Sequence, residues 1–302
     1  MSRARLRHVI DSLDLGNIVP LLRSCYKWRL GGPGRPPHSP QGMLFSFAVM
    51  LAKGFTYRDM EDFLAKSDYW KRYLGFREAP DHSCYTDFLA RVGPRFEPIF
   101  RDLVLQLAKR GVLRVRTAVP DSFPLEAHRA DWGANHGFST RLGLFWGYKT
   151  HAVASGRSEL PMAFHFTPAS VHDSVPFPKL LGQVLGLDIE RVVADSAFDS
   201  AEHRASCANV GIKPVIQKNP RRNPGPGRPE NKRGPKYKRR TAVERMFARL
   251  LDWFHLRQMR WRGTERVASV VLVAFIGMNV FAFLGKRMGM SPRAARSILR
   301  AL

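Results

Sequence analysis

The feature that most constrains the fold is a change in hydrophobic patterning near Gly111. From Gln41 to about Leu113, apolar residues recur at spacings of three and four, as in Met43, Phe47 and Met50, which predicts amphipathic helices. After Gly111 the pattern changes to short runs rich in β-branched and aromatic residues, with helix-like segments between some of them. The chain therefore predicts a helical N-terminal region followed by a region of strands and helices.

Five apolar runs in the second region are predicted to be strands. They are VRTAV before Asp121, LGLFWGYKTHAVA after Arg141, MAFHFTPA after Pro161, ERVVAD ending at Asp195, and KPVIQK after Ile212. Helical patterns lie between them at residues 176–185 and 201–210, and the C-terminal part is again helical. This order predicts a mixed α/β sheet flanked by helices. We expect a helical domain at residues 1–112 and an α/β domain at residues 113–302.

A large excess of positive charge limits the partners of the chain. Its 302 residues include 49 Lys and Arg against 25 Asp and Glu, a formal net charge of +24. Because 44% of the residues are hydrophobic, the chain has enough apolar material for a core and is not a disordered basic tail. A folded protein with this charge is suited to polyanions, and nucleic acid is the partner that we expect.

Basic residues are densest in the segment 219–240, which is rich in proline and glycine. It contains nine Lys or Arg and one acidic residue, and it lies between a predicted strand and a predicted helix. Such a run is either a solvated segment or a loop that contacts DNA phosphates, and its internal position favours the loop. The candidate DNA-binding residues in it are Arg221, Arg222, Arg228, Lys232 and Arg233.

Three carboxylates are candidates for chemistry, namely Asp121, Asp195 and Glu244. Each alone has a structural alternative. Asp121 fits a turn or cap, and Asp195 fits a cap of the helix that begins near Ala201. Glu244 fits an i,i+4 pair with Arg240. Together they match the few carboxylate ligands that Mg²⁺ takes, and two such ions promote in-line displacement at phosphorus. The chemistry indicated is phosphodiester cleavage.

Motifs around these carboxylates carry a resemblance to a known family. The segments are VPDS at Asp121, FWGYKTHAVAS from Phe145, LPMAFHFTPASVHDS from Leu160, VVADSAFDS from Val192 and YKRRTAVERMFARLL from Tyr237. They resemble bacterial insertion-sequence transposases of the Asp-Asp-Glu (DDE) class. The N-terminal GRPPHSPQGMLFSFAVMLAKGFTYRDMEDFL and APDHSCYTDF resemble the helical N-terminal domain of that group, so the likeness covers nearly the whole chain.

The most specific part of the resemblance is the last segment. Tyr237, Arg240 and Glu244 are similar to the family's Y-x2-R-x3-E-x6-K signature, but its final Lys is replaced by Leu251. The resemblance implies that Tyr237 and Arg240 position a DNA phosphate or the Glu244 carboxylate. The replacement at Leu251 affects the family's terminal DNA contact and leaves the three carboxylates in place. A role of Leu251 in core packing is the alternative.

The resemblance implies an RNase H-like catalytic domain at residues 113–302, preceded by a domain at 1–112 for DNA binding or assembly. The implied activity is metal-dependent cleavage at element ends and transfer of a 3′-hydroxyl into target DNA. Asp121, Asp195 and Glu244 would hold two Mg²⁺ ions, with Mn²⁺ as a substitute. The partner would be double-stranded DNA, bound by a homodimer or larger assembly. The rivals are a nuclease without strand joining and a transposase-derived DNA-binding protein without catalysis.

One segment bears on localisation, because Val267 to Leu284 contains 18 residues without a charge. This length is close to a bilayer span, but Ser269 and Asn279 lie within it and no second such stretch occurs. We expect a buried core helix and no membrane contact. The N-terminus shows no apolar signal region, and three widely spaced cysteines fit a reducing compartment. We therefore expect a cytoplasmic, nucleoid-associated bacterial protein.

Overall fold

The computed structural model of the chain describes residues 18–26, 36–219, 237–257 and 259–291. The helices in these ranges are α1 (Ile18–Ser24), α2 (Pro40–Lys53), α3 (Tyr57–Ala65), α4 (Asp68–Tyr73), α5 (His82–Val92), α6 (Phe96–Lys109), α7 (Phe177–Val184), α8 (Ala201–Asn209), α9 (Thr241–Trp253) and α10 (Thr264–Arg287). The strands are β1 (Thr117–Glu126), β2 (Asn135–Ser139), β3 (Gly143–Ser155), β4 (Pro161–Pro168), β5 (Arg191–Ala194) and β6 (Lys213–Ile216). Short 3₁₀ turns cover Gly93–Arg95, Ser196–Phe198 and Tyr237–Arg240.

The chain divides into two compact units that interleave along the sequence. The helical unit comprises Met1–Leu103, Leu250–Leu256 and Glu265–Leu302, and the sheet unit comprises Val104–Arg249 and Arg257–Thr264. The helical unit thus includes most of α10 as well as the N-terminal helices. The assignment of separate functions to residues 1–112 and 113–302 stays a prediction.

All six strands belong to one mixed sheet in the sheet unit. Its order is β2-β3-β1-β5-β6, and β4 also pairs with β3. β3 is antiparallel to β1, β2 and β4, whereas β5 is parallel to both β1 and β6. The mixed sheet with its helices confirms the predicted fold class.

The central position of β3 explains its composition. Every residue from Gly147 to Ser155 is buried, because β1 lies on one side of the strand while β2 and β4 follow one another on the other. Gly147 is required here, since a Cβ atom at this position would collide with the carbonyl oxygen of Leu125. α7 is held to β4 by Gln183, whose side chain accepts from the Phe164 amide at 2.8 Å and donates to its carbonyl at 2.9 Å.

The N-terminal helices begin at residues whose side chains satisfy the first amide groups. Ser39 accepts from the Gly42 amide at 3.2 Å, directly before α2. At α3, Asp59 accepts from the Thr56 amide at 2.8 Å, and Thr56 accepts from the Asp59 amide at 3.2 Å. This reciprocal pair is a capping box, which fixes the start of a helix from local sequence alone.

α10 is the one helix in the described ranges that is long and apolar enough to cross a membrane, and 94% of its most apolar 18-residue window is buried. Phe275 packs edge to face against Phe100, with ring centroids 6.0 Å apart, and Phe281 lies 6.1 Å from Phe254. Asn279 is fully buried. The helix therefore occupies the core of the helical unit, as the core-helix interpretation requires.

Candidate active site

Asp121 lies within β1, not after it. The sequence predicts a strand that ends before Asp121, but residues 122–126 continue the antiparallel pairing with β3. The prolines at positions 120 and 124 are tolerated because the pairing of β1 with β5 covers only Thr117 and Ala118, which leaves one edge of β1 without a neighbouring strand beyond them. Asp121 is thus presented from a central strand, and its Oδ1 accepts a hydrogen bond from the Ser122 amide at 2.8 Å.

The parallel pairing of β1 and β5 brings Asp195 to Asp121. Thr117 pairs with Arg191 and Ala118 with Val192, and beyond these pairs the charge of Asp195 acts on the Asp121 carboxyl group. Asp195 directly follows β5, and its Oδ1 accepts from the Ala197 amide at 2.9 Å. It therefore caps the turn Ser196–Phe198, while the cap of α8 is Ser200.

Arg240 links Glu244 to Asp121. Arg240 ends the 3₁₀ turn before α9, and Glu244 lies in the first turn of that helix. The Arg240 guanidinium donates a hydrogen bond to Glu244 Oε1, and its Nη1 lies 3.6 Å from Asp121 Oδ2. The predicted i,i+4 pair exists, and the guanidinium in it also contacts the first carboxylate.

The pKa of Asp121 reflects its burial and the charged groups around it. Burial raises the pKa of Asp121 to about 7, and the charges of Asp195 and Asp173 add to the rise. The Ser122 amide and Arg240 oppose it. A cation beside this carboxyl group would favour its ionised form.

An ion pair that the sequence does not predict lies near Asp121. Lys149 of β3 is almost fully buried, and its Nζ lies 3.0 Å from Asp173 Oδ1 and donates to the Val171 carbonyl at 3.2 Å. The sequence HDS at this point is typical of a helix-entry cap, and His172 does contact Ser174 Oγ at 2.8 Å. Asp173 instead pairs with Lys149 across 24 positions of sequence, and no local signal predicts such a contact.

Asp199, the next carboxylate after Asp195 in the sequence, forms contacts of its own. Its Oδ1 accepts from Arg204 Nη2 at 2.7 Å, and its Oδ2 accepts from the Asn219 amide at 2.7 Å.

Tyr237 donates to Gln217 Oε1 at 2.5 Å. The backbone amide of Gln217 donates to the Ala194 carbonyl at the end of β5, at 3.2 Å. Tyr237 therefore connects the turn that carries Arg240 to the end of β5, next to Asp195.

A buried carboxylate fixes α9, the helix that carries Glu244. Glu159, in the turn between β3 and β4, accepts from Arg245 Nε at 2.8 Å, and Arg249 Nη2 lies 2.9 Å from its other carboxylate oxygen. Its side chain is 3% exposed, and its φ of 56° is left-handed. A non-glycine residue in this conformation is strained. The two ion pairs connect α9 to the turn between β3 and β4, and one of them uses Arg245, the residue after Glu244.

Several predicted residues lie outside the described ranges. They are Arg221, Arg222, Arg228, Lys232 and Arg233, so their DNA-binding role stays a prediction. In the described residues, the group of three ligand-type side chains with donor atoms all within 4.8 Å is Glu61, Asp81 and His82. Its internal contacts account for it, because Asp81 caps α5 and His82 bonds to Glu61 at 2.9 Å.

Comparisons with known proteins show the family of the chain. The family described as "Transposase DDE domain" matches residues 116–280, and "Transposase domain (DUF772)" matches residues 2–91. Among solved structures, the chain is similar to a piggyBac transposase synaptic complex with hairpin DNA, determined by cryo-EM, with 9% identity and a TM-score of 0.48. That similarity covers 97% of this chain and 78% of the other. No curated protein matches the chain. Because the first family covers more than half of the sequence and all three candidate carboxylates, the chain belongs to the DDE-domain transposases.

Proposed function

We propose that this transposase cleaves phosphodiester bonds at the ends of an insertion sequence and joins the released 3′-hydroxyl to target DNA, using Asp121, Asp195 and Glu244. Two links among these residues carry the proposal. Arg240 contacts both Asp121 and Glu244, and the charge of Asp195 acts on the carboxyl group of Asp121.

The donor set fits a divalent cation. Transposases with this domain use divalent metal ions, and carboxylate oxygens are the ligands that Mg²⁺ prefers. Burial is the main reason that the pKa of Asp121 is raised, and the charges of Asp195 and Asp173 add to it; a bound cation would favour the ionised carboxylate. We assign two Mg²⁺ ions, or Mn²⁺, to Asp121, Asp195 and Glu244. When held by these residues, the ions would supply activation of the attacking oxygen and stabilisation of the leaving oxygen of a phosphodiester.

Residues around the three carboxylates bind DNA phosphates or orient the carboxylates. Partial burial acts to lower the pKa of Arg240, but Glu244 and Asp121 outweigh it and the pKa lies above its ordinary value. Arg240 therefore stays charged, and it lies where it can meet a phosphate at the carboxylates while orienting Glu244. Tyr237 holds the turn that carries Arg240. The basic segment 219–240 supplies further phosphate contacts, with Arg221, Arg222, Arg228, Lys232 and Arg233 as their source.

DNA is the partner of a transposase, and we propose that both element ends and the target are bound as duplex. Each chain offers one set of three carboxylates, so the processing of two ends favours a homodimer or larger assembly on DNA. The core position of α10 supports a soluble protein. Cytoplasmic localisation at the bacterial nucleoid follows from the substrate.

The test uses a DNA duplex that carries one element end, and follows binding, strand cleavage and strand transfer separately. We expect Mg²⁺-dependent cleavage and joining in the wild type. Asp121→Ala, Asp195→Ala and Glu244→Ala should bind the end but cleave nothing. Cleavage without joining would favour the nuclease alternative, and binding without cleavage by the wild type would favour a DNA-binding protein.

A further inference from the structure

The sheet unit contains an arginine-lined cavity of about 510 Å³ that the proposed catalytic residues do not use. It lies at the start of β1 and β5, where Thr117 and Arg191 form part of its wall. The arginines that line it are Arg114, Arg116, Arg157, Arg191 and Arg239. They come from four separate stretches of the chain, so the fold gathers them.

The positive charge of the cavity exceeds its negative charge. Two carboxylates, Asp188 and Glu190, line it together with the five guanidinium groups. Glu190 is shared, since its oxygens lie 3.1 Å from Arg116 and 2.9 Å from Arg191. The excess of three positive charges in a concave surface creates a field that attracts an anion, and guanidinium groups match the geometry of phosphate oxygens.

The cavity is connected to the candidate active site through consecutive residues. Arg239 lines the cavity, and the next residue, Arg240, contacts Asp121 and Glu244. Along β1, the four residues from Thr117 at the cavity to Asp121 span roughly 13 Å at about 3.3 Å per residue. A DNA strand covers a distance of this size within a few nucleotides.

We propose that this cavity binds the phosphodiester backbone of the DNA strand that passes the candidate active site, within a few nucleotides of the phosphate at Arg240. The inference rests on the proposed function, because it takes the strand at Asp121 as its origin. The cavity and Arg240 are two neighbouring cationic positions, and a ligand with repeated negative charges can occupy both. The arginines contact phosphates and contribute affinity without sequence selectivity.

The experiment compares two double variants of equal charge. Arg114→Gln with Arg157→Gln neutralises two exposed arginines of the cavity that lie outside the basic segment 219–240, and Arg129→Gln with Arg141→Gln neutralises two exposed arginines away from the cavity. Binding to a duplex of arbitrary sequence is measured in EDTA at several salt concentrations. If each cavity arginine contacts one phosphate, the slope of log K against log salt should fall by about 1.8 in the cavity variant and stay unchanged in the control.

Equal slopes in the two variants would overturn the proposal, since the effect would then belong to the general field of the protein. Calorimetry with a nucleoside monophosphate separates a backbone site from a mononucleotide site. Tight binding of the mononucleotide that disappears in the cavity variant, while the duplex slope is unchanged, would also overturn it. Binding in EDTA does not require cleavage, so a failure of the proposed function, seen as cleavage by Asp195→Ala, is distinguished from a failure here.

Discussion

The negative charge of Asp195 acts on the buried carboxyl group of Asp121, because the parallel strands β1 and β5 lead toward the two residues. Thr117 pairs with Arg191 and Ala118 with Val192, an offset of 74 positions that also separates Asp121 from Asp195 in the sequence. The number of residues between the two carboxylates is set by β2, β3, β4 and α7, which lie between them in the sequence.

This register predicts that Asp195, and not Asp199, is required for cleavage. We expect Asp195→Asn to lower the Mg²⁺-dependent cleavage rate by at least about 100-fold, because even a residue that only supports a metal ligand is worth about 10- to 100-fold. Asp199→Asn is the matched control, since it removes the same charge four residues away. Its carboxylate serves Arg204 and the Asn219 amide, so the folded variant should cleave within a few-fold of wild type. The reverse order of rates would reject the assignment of Asp195.

A second prediction concerns the ion pairs of Glu159. Removing one partner of a buried pair costs about 3–5 kcal/mol, so Glu159→Gln should lower the free energy of unfolding by about that amount. The two arginines should differ, because the side chain of Arg249 is 13% exposed and that of Arg245 is 54% exposed. Urea unfolding should therefore show a larger loss for Arg249→Gln than for Arg245→Gln. Equal, small losses would mean that these ion pairs contribute little to holding α9.

Local pattern is enough to predict much of this fold. The buried runs of β3, β4 and β5 are predicted as strands because their apolar residues are contiguous. The pair of Arg240 with Glu244 is predicted because it lies within one helical turn. β2 is missed, since NHGFS is largely exposed and has no apolar run.

The supporting contacts of the site could not be predicted in the same way. Arg249 reaches the main chain and carboxylate of Glu159 across 90 positions of sequence, and Lys149 reaches Asp173 across 24. Each residue by itself resembles an ordinary surface charge. Only the pairing of the strands determines which charges meet, so these contacts leave no signal in composition or spacing.

A third prediction tests the basic segment 219–240. Neutralising Arg221, Arg222, Arg228, Lys232 and Arg233 together should weaken binding to all duplex sequences alike. The slope of log K against log salt should fall by about 0.9 for each DNA phosphate that the segment no longer neutralises. The control replaces the four arginines by lysine, which keeps the charge and should keep most of the slope. A slope equal to wild type in the neutralised variant would identify the segment as a solvated linker.

A fourth prediction concerns the core helix α10. Phe275 is fully buried against Phe100, so Phe275→Asp should abolish folding because an unpaired charge in the core is costly. Arg266→Asp places the same residue at an exposed position of the same helix and should leave the protein folded. Circular dichroism and solubility report the difference. Recovery of the wild-type protein in the membrane pellet after nuclease and high salt would contradict the core-helix interpretation.

The last prediction is a decrease of stability in acid that depends on His151. Burial lowers the pKa of His151 to about 4 from 6.5. Its Nε2 contacts Thr167 Oγ1 at 2.8 Å, and its buried Nδ1 has no hydrogen-bond partner in the described residues. Between pH 6.5 and 4 the unfolded state binds a proton that the folded state does not, so stability falls as the pH falls. The decrease should reach about 3 kcal/mol, at roughly 1.4 kcal/mol per unit. Urea unfolding of wild type and His151→Gln should therefore converge toward acid, and parallel curves would contradict the prediction.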